Sequence, residues 1–387
     1  MRIALFTECY APIVNGVVVS VSTFAAELKR LGVEVWIVAP RFPGYTERDP
    51  HVVRIASVCF PGEPKYPLAV PGLARLKALD RQPPDLVHTH SPFLAGRLGL
   101  RAARRWGVPV VFTFHTIYEE YVHYLRPLPQ GWLRRRARAL SRGYANRVDR
   151  VIAPSEGLRD LLLSDGVLTP IEVLPTGVDL SLADRARLAP IRDTWGIPEE
   201  APLLLYVGRV AREKNVEMML EAFARIHSRT ATAALLVAGG GADLEAARET
   251  ARRLGVGEAV RFTGYLDRGD VFRCAAEADV FLFPSVTDTQ GIVIVEAMAL
   301  GVPCVATESA AVRGLVISGR NGLLTENDPG AFAQAALRLL GDPALRARMA
   351  EQALETASRY AAAPLAERLL AIYERTLASA GALAAAS

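Results

Sequence analysis

The apolar positions of this chain fall in short runs separated by longer stretches with helical spacing. Strand-like runs occur at Ile3–Thr7, Val35–Ala39, Val52–Val58, Leu86–Thr89, Val108–Phe114 and Val151–Ala153. The alternation restarts after Leu180 with Leu203–Val207, Leu235–Ala238, Val260–Phe262, Val280–Phe283 and Val302–Ala306. Apolar runs alternating with helices predict βαβ units and a parallel sheet, and the restart predicts two of them. A length of 387 residues likewise exceeds one typical core. The expected fold class is α/β, with two Rossmann-like doubly wound domains over residues 1–178 and 179–362. Thr176–Asp179 is the turn-rich crossing between them. An alanine-rich helix over 363–380 is expected to pack back on the first domain, and the residues from Ala380 onward to fray. Two such domains facing each other put a ligand in the cleft between their carboxyl edges.

Composition narrows the class. Hydrophobic residues make up 51%, yet no uninterrupted apolar stretch approaches the ~20 residues of a membrane span. Met1–Glu8 has too short an apolar segment for a signal peptide and is expected to be a first strand, so the protein should stay in the cytoplasm. Cys9, Cys59, Cys274 and Cys304 form no C-x-x-C pair, which favours reduced thiols over a zinc site. His88 and His90 share a strand face, but no third ligand has suitable spacing. We expect them to be structural or cleft-lining, and we expect neither a metal nor a resident cofactor.

Charge is uneven. Arg126, Arg134, Arg135, Arg136, Arg138, Arg142, Arg147 and Arg150 stand against one acid, Asp149, and Arg97, Arg101, Arg104 and Arg105 add a second cluster upstream. Such density favours anionic headgroups, nucleic acid or anionic substrates. Only four of 45 basic residues are lysines, so arginine is the default cation here and a solvated helix face is the plain alternative. Trp132 and Leu133 beside the run suggest an amphipathic interfacial segment, which places an anionic membrane surface ahead of nucleic acid.

The most informative segment runs from Ser285 to Val305. Asp288 and Glu296 flank Gly291, with an apolar strand before them and the helical stretch Ile292–Leu300 after. In a strand, loop, helix unit the loop and helix start lie at the carboxyl edge of the sheet, where amide N–H groups attract phosphate. The two carboxylates supply acceptors for sugar or ribose hydroxyls, so the segment suits a sugar nucleotide. It resembles the signature of retaining GT-B glycosyltransferases, in which two glutamates are separated by seven residues. Here Asp288 takes the first position, one methylene shorter. The plain alternative is an ordinary βα unit with a solvated aspartate.

The resemblance extends over nearly the whole chain. It implies that Arg209 and Lys214, after Leu203–Val207, hold the donor diphosphate, where cations would stabilise a charged leaving group. It implies that Gly16 approaches a phosphate through its backbone, and that His115, at a strand end, lies near the donor sugar. Tyr265 is a plausible neighbour of the nucleobase, and Gln290, Gly291, Ile292 and Val293 complete the donor set. Ala238–Gly241 lacks the G-x-G-x-x-G spacing and is expected to be a turn. Thr287–Gly291 together with His115–Tyr124 is most similar to the bacterial diacylglycerol α-glucosyltransferases. That likeness implies hexose transfer from a UDP-sugar, UDP-glucose or a related UDP-hexose, to the 3-hydroxyl of diacylglycerol by an enzyme on the cytoplasmic face of the membrane. Tyr118, Tyr121, Trp132, Arg134, Arg135, Arg136 and Arg138 are the expected acceptor or membrane contacts. A soluble or polyprenyl acceptor, and UDP-sugar epimerisation on the same scaffold, remain open at this point.

Overall fold

The strands in the computed structural model, which describes residues 1–60, 63–70, 76–125, 128–186 and 191–386, form two parallel sheets in two compact units. The first unit is Met1–Gly177 with Ala362–Ser387, and the second is Val178–Ala361.

In the first unit β1 (Arg2–Phe6), β2 (Glu34–Pro40), β3 (Val52–Ile55), β6 (Leu86–Thr89), β7 (Val110–Thr113), β8 (Arg150–Ala153) and β9 (Ile171–Val173) form one sheet. Their order is β3-β2-β1-β6-β7-β8-β9. The strands β4 (Ser57–Phe60) and β5 (Glu63–Ala69) form a separate antiparallel pair. In the second unit β10 (Leu203–Val207), β11 (Ala234–Ala238), β12 (Val260–Gly264), β13 (Val280–Phe283), β14 (Cys304–Thr307) and β15 (Gly322–Thr325) are ordered β12-β11-β10-β13-β14-β15. Both orders run outward from a central strand and then reverse, as in doubly wound sheets, so each sheet has a switch point: β1/β6 in one, β10/β13 in the other. Ligand crevices open there, beyond the carboxyl ends of the strands.

Burial on both faces explains why the strands are continuous apolar runs rather than alternating ones. Leu203 and Leu205 of β10 join a core with Leu236, Phe281 and Met298 on one side of the sheet. Leu204 joins Leu220, Phe223, Leu235 and Leu282 on the other. In the first unit the helix Gly16–Arg30 is capped by Asn15, whose Oδ1 accepts the Val18 N–H at 2.9 Å. The helix Ala362–Ala386 returns to this unit and packs on Gly16–Arg30. It runs to Ala386 rather than fraying from Ala380.

The apolar run Val52–Val58 is not one strand. It ends in the main sheet at Ile55, and Ser57–Phe60 pairs with β5 instead. Ala56 and Val58 carry the apolar pattern on past Ile55 with only Ser57 between them, so the change of partner leaves little mark in the pattern.

The glycine run Gly239–Gly241 is a packing device. A Cβ on Gly239 would lie 1.8 Å from the Gly208 carbonyl oxygen, and one on Gly241 2.1 Å from that of Val210. Only glycine lets the loops after β10 and β11 approach so closely, which Gly208 N–H to Ala238 C=O and Val210 N–H to Gly240 C=O then pin. Gly239→Ala should therefore cost about 1–3 kcal/mol or more of stability. A urea midpoint equal to that of the wild type would show that the loops adjust freely.

Candidate functional site

Two loops leave adjacent strands at the switch point of the second unit. The first, after β10, carries Arg209 and a 3-10 turn, Arg212–Lys214, before Asn215 opens the helix Val216–His227. Asn215 adopts a left-handed φ of 59°, and its amide donates to Pro284 O at 3.1 Å and Asn327 Oδ1 at 2.7 Å. Asparagine tolerates that conformation better than most residues. The second loop, after β13, is tied to the first by Thr287, whose buried hydroxyl donates to Glu213 O at 2.9 Å. Each loop thus donates a side-chain bond to a backbone carbonyl of the other.

Three opposite-charge pairs line this region. Lys214 Nζ meets Asp288 Oδ1 at 2.5 Å, Arg209 meets Glu213 at 2.5 Å, and Arg268 meets Glu296 at 2.6 Å. The Glu213 carboxylate is 1% exposed and that of Glu296 is 10% exposed, so both need a cation beside them. Burial pushes the Glu296 carboxyl above its usual range, and the Arg268 guanidinium works against that shift. Lys214 stands just before the helix Val216–His227, where a cation is disfavoured without an anion beside it, and the carboxylate of Asp288 is that anion. Glu213 and Arg268 were missed because neither belongs to a spaced motif.

The remaining second-unit residues surround these pairs. The helix Ile292–Met298 is short, and its bonding begins with Ile294 N–H to Gly291 C=O, which leaves the Ile292 and Val293 amides outside its ladder. Gly291 caps it with φ −85°, a value open to any residue. A Cβ there would instead meet Ile294 Cδ1 at 2.6 Å. Gln290 is half-buried. Tyr265 is 54% exposed, with its ring against Gly240, where a Cβ would come within 2.7 Å of it. An exposed ring close against glycine backbone is suited to stacking with a base.

In the first unit Gly16 begins its helix, with open space where a Cβ would project. His115 follows β7, and its Nε2 lies 2.9 Å from His90 Nδ1, with the rings stacked at 5.2 Å. His88 bonds Tyr373 through Nδ1 and Thr113 through Nε2, both at 2.7 Å. Burial pulls His115 down to about 4 and His88 to about 3, and His90 lower than usual as well. All three imidazoles are neutral near pH 7. His88, with both nitrogens bonded within the fold, is structural. Among the described residues there is no group of three or more His, Cys, Asp or Glu arranged to hold a metal.

Glu8, also missed from the sequence, accepts the Ala95 N–H at 2.6 Å and the Ser91 hydroxyl at 3.1 Å. It thereby caps the helix Leu94–Trp106. Tyr118 packs on Phe93 at 4.6 Å, and burial, then Glu8 and Cys9, push its hydroxyl above the usual range. Tyr121 is half-buried in the next turn.

The basic helix Gln130–Ala145 differs from its reading by charge count. Arg134 meets Glu120 at 3.8 Å, and Arg138 meets Glu119 at 3.2 Å and Asp165 at 3.6 Å. These two arginines are partly matched within the fold. Leu133 is buried, so it cannot share an interfacial face with Trp132, which is 47% exposed beneath the Arg136 guanidinium at 5.2 Å. Arg135 is exposed. Arg126 lies outside the described residues. Among those residues no helix is long and apolar enough to cross a membrane.

Comparison with known proteins gives the family. Residues 14–182 match Glycosyltransferase Family 4, and residues 189–356 match Glycosyl transferases group 1. An alpha-monoglucosyldiacylglycerol synthase of Streptococcus pneumoniae is 34% identical over 84% of this chain and 75% of its own length. A GDP-mannose-dependent alpha-mannosyltransferase of Mycolicibacterium smegmatis is 34% identical over 85% of both. Among solved structures, Anabaena HepE in complex with UDP-glucose covers 98% of this chain and 100% of its own, with a TM-score of 0.76 at 19% identity, a likeness of fold. With one glycosyltransferase family matched in each half and such relatives across most of its length, the chain belongs to the GT-B glycosyltransferases and is a hexosyltransferase.

Proposed function

We propose that this protein transfers a hexose from a UDP-sugar to the 3-hydroxyl of diacylglycerol, with retention at the anomeric carbon, while bound to the cytoplasmic face of a membrane. The observation that carries the donor half is the Lys214–Asp288 pair, a cation and a carboxylate held together at the switch-point crevice. Without ligand the pair neutralises itself. A diphosphate competes for Lys214 and Arg209, and Asp288 is then available to a donor hydroxyl. Glu296, paired with Arg268, accepts from the ribose. Tyr265 stacks on the base, and the Gly291, Ile292 and Val293 backbone with Gln290 completes the site.

In this reading the acceptor oxygen bonds to the anomeric carbon as the bond from that carbon to the diphosphate oxygen breaks. The acceptor proton passes to the departing phosphate oxygen on the same face. Arg209 and Lys214 offset the charge that accumulates there. Gly16 and neutral His115 supply an amide and an imidazole on the first unit, and Tyr118 and Tyr121 line the acceptor side. The synthase from Streptococcus pneumoniae supports the lipid acceptor and the glucosyl group.

A second reading is favoured by the mannosyltransferase relative: mannose transfer from GDP-mannose to another acceptor. The two are separated by incubating the protein with UDP-glucose, UDP-galactose or GDP-mannose and dispersed diacylglycerol, then weighing the lipid products by mass spectrometry. A hexosyl-diacylglycerol formed from a UDP-sugar is the expected result. A product formed only from GDP-mannose, or only with a water-soluble acceptor, would overturn the proposal.

A further inference from the structure

The arginines of the first unit fall into two sets. Arg134 and Arg138 meet Glu120, Glu119 and Asp165, and Arg142 donates to the Asp165 carbonyl at 3.3 Å. These positions are four apart and form one stripe of the helix Gln130–Ala145. Arg105 is likewise paired with Asp80. By contrast, Arg97, Arg101, Arg104 and Arg147 meet no carboxylate among the described residues. They converge on a single pocket of about 350 Å³ between the helices Leu94–Trp106 and Gln130–Ala145.

Cations of like sign repel one another when brought around one cavity, and the fold gives Arg105, Arg134 and Arg138 carboxylate partners but gives these four none among the described residues. The floor beneath them includes Leu100, which is buried, and Leu140, which is half-buried. The Tyr144 hydroxyl is directed away, to Thr89 and Gly96. A basic rim over an apolar floor fits a phosphate carried on a hydrocarbon better than a free phosphate. The volume is within the range of small-ligand pockets. A different stripe of the helix Gln130–Ala145, at steps of three and four residues, runs from the exposed Trp132 through Arg136, Leu140 and Gly143 toward Arg147 just beyond its end, and an arginine over a tryptophan suits a membrane interface.

We infer that the pocket rimmed by Arg97, Arg101, Arg104 and Arg147 binds the phosphate group of an anionic lipid headgroup and is the membrane-contacting face of the first unit. The proposal rests on the membrane-bound reading above and reassigns its contacts: Arg134 and Arg138 hold the fold together, while the four unpaired arginines meet the bilayer.

The test uses the full chain in three forms: wild type, a quadruple variant with Arg97→Gln, Arg101→Gln, Arg104→Gln and Arg147→Gln, and a control with Arg134→Gln and Arg138→Gln. Each is sedimented with vesicles of phosphatidylglycerol and phosphatidylcholine, or of phosphatidylcholine alone. An arginine near an anionic surface is worth roughly fivefold in partitioning, so the quadruple variant should lose about 10²–10³-fold in binding to the anionic vesicles. The control should retain most of its binding. Raising the salt should weaken the wild type toward the quadruple variant. Glycerol 1-phosphate and inorganic phosphate, added as competitors, distinguish the sources: neither should displace the protein from vesicles at millimolar concentration. Displacement by either at that level would make the pocket a soluble-phosphate site and overturn the lipid assignment. So would equal sedimentation of wild type and quadruple variant, or arginine-dependent binding to a duplex oligonucleotide with none to vesicles. Transfer to short-chain diacylglycerol in non-ionic detergent keeps the two proposals apart. Its absence in the wild type overturns the acceptor reading, whereas its persistence in a quadruple variant that has left the vesicles supports the pocket.

Discussion

Lys214→Ala is expected to lower kcat by about 10²–10³, the equivalent of roughly 2.7–4 kcal/mol of barrier, which is the usual consequence of removing one preorganised donor from a developing oxyanion. Its stability should change little. Lys214 makes its pair with Asp288, which is 22% exposed, so the stranded carboxylate keeps access to water, unlike that of Glu296. The measurement is kcat at saturating donor beside a urea midpoint. A variant with near-normal kcat would remove Lys214 from the leaving-group site.

Arg268→Met should be strongly destabilising at the same site. It leaves the Glu296 carboxylate, 10% exposed, without its cation, and breaking a buried pair in this way costs about 3–5 kcal/mol. The cost depends on pH in a definite direction. Burial already raises the Glu296 carboxyl, and Arg268 is the influence that lowers it, so the variant raises it further. A group whose folded pKa lies above its unfolded one loses stability as pH rises through the folded value. The deficit of Arg268→Met should therefore be small near pH 4, grow toward pH 7, and largely vanish at every pH in Arg268→Met/Glu296→Leu. Denaturation across that range checks it, and a pH-independent deficit would mean that the arginine acts by packing alone.

The parts of the fold most legible in the sequence were those buried on both faces. Leu86–Thr89, Leu203–Val207 and Val280–Phe283 match their strands residue for residue, because a strand covered by helices on both sides is largely apolar; in Leu86–Thr89 the buried His88 has both ring nitrogens bonded within the fold. The strand Ile171–Val173 escaped notice because its central Glu172 is paired with Arg150 and Arg375 at the sheet edge. Gly322–Thr325, an edge strand opening on glycine, gave as little signal.

The motif residues Arg209, Lys214, Asp288 and Glu296 lie on the loops and helix beside the β10/β13 switch point, since each follows a legible strand. Their partners Glu213 and Arg268 could not be read, because ion pairing is decided by which loops fold together and not by spacing along the chain. The same limit misled the count of charges around Arg134 and Arg138. One acid was visible within that stretch, whereas Glu119, Glu120 and Asp165 reach it only in three dimensions.

The central claim is retaining hexosyl transfer to diacylglycerol, and the most direct test is the anomeric configuration of the lipid product made from carbon-13-labelled UDP-glucose. The donor is an α-glycoside. Proton NMR of the purified product should show a small anomeric coupling, that of an α-linked glucose on the 3-hydroxyl of diacylglycerol. A large coupling from a β-linked sugar, or label found only in free glucose with no glycolipid, would contradict it.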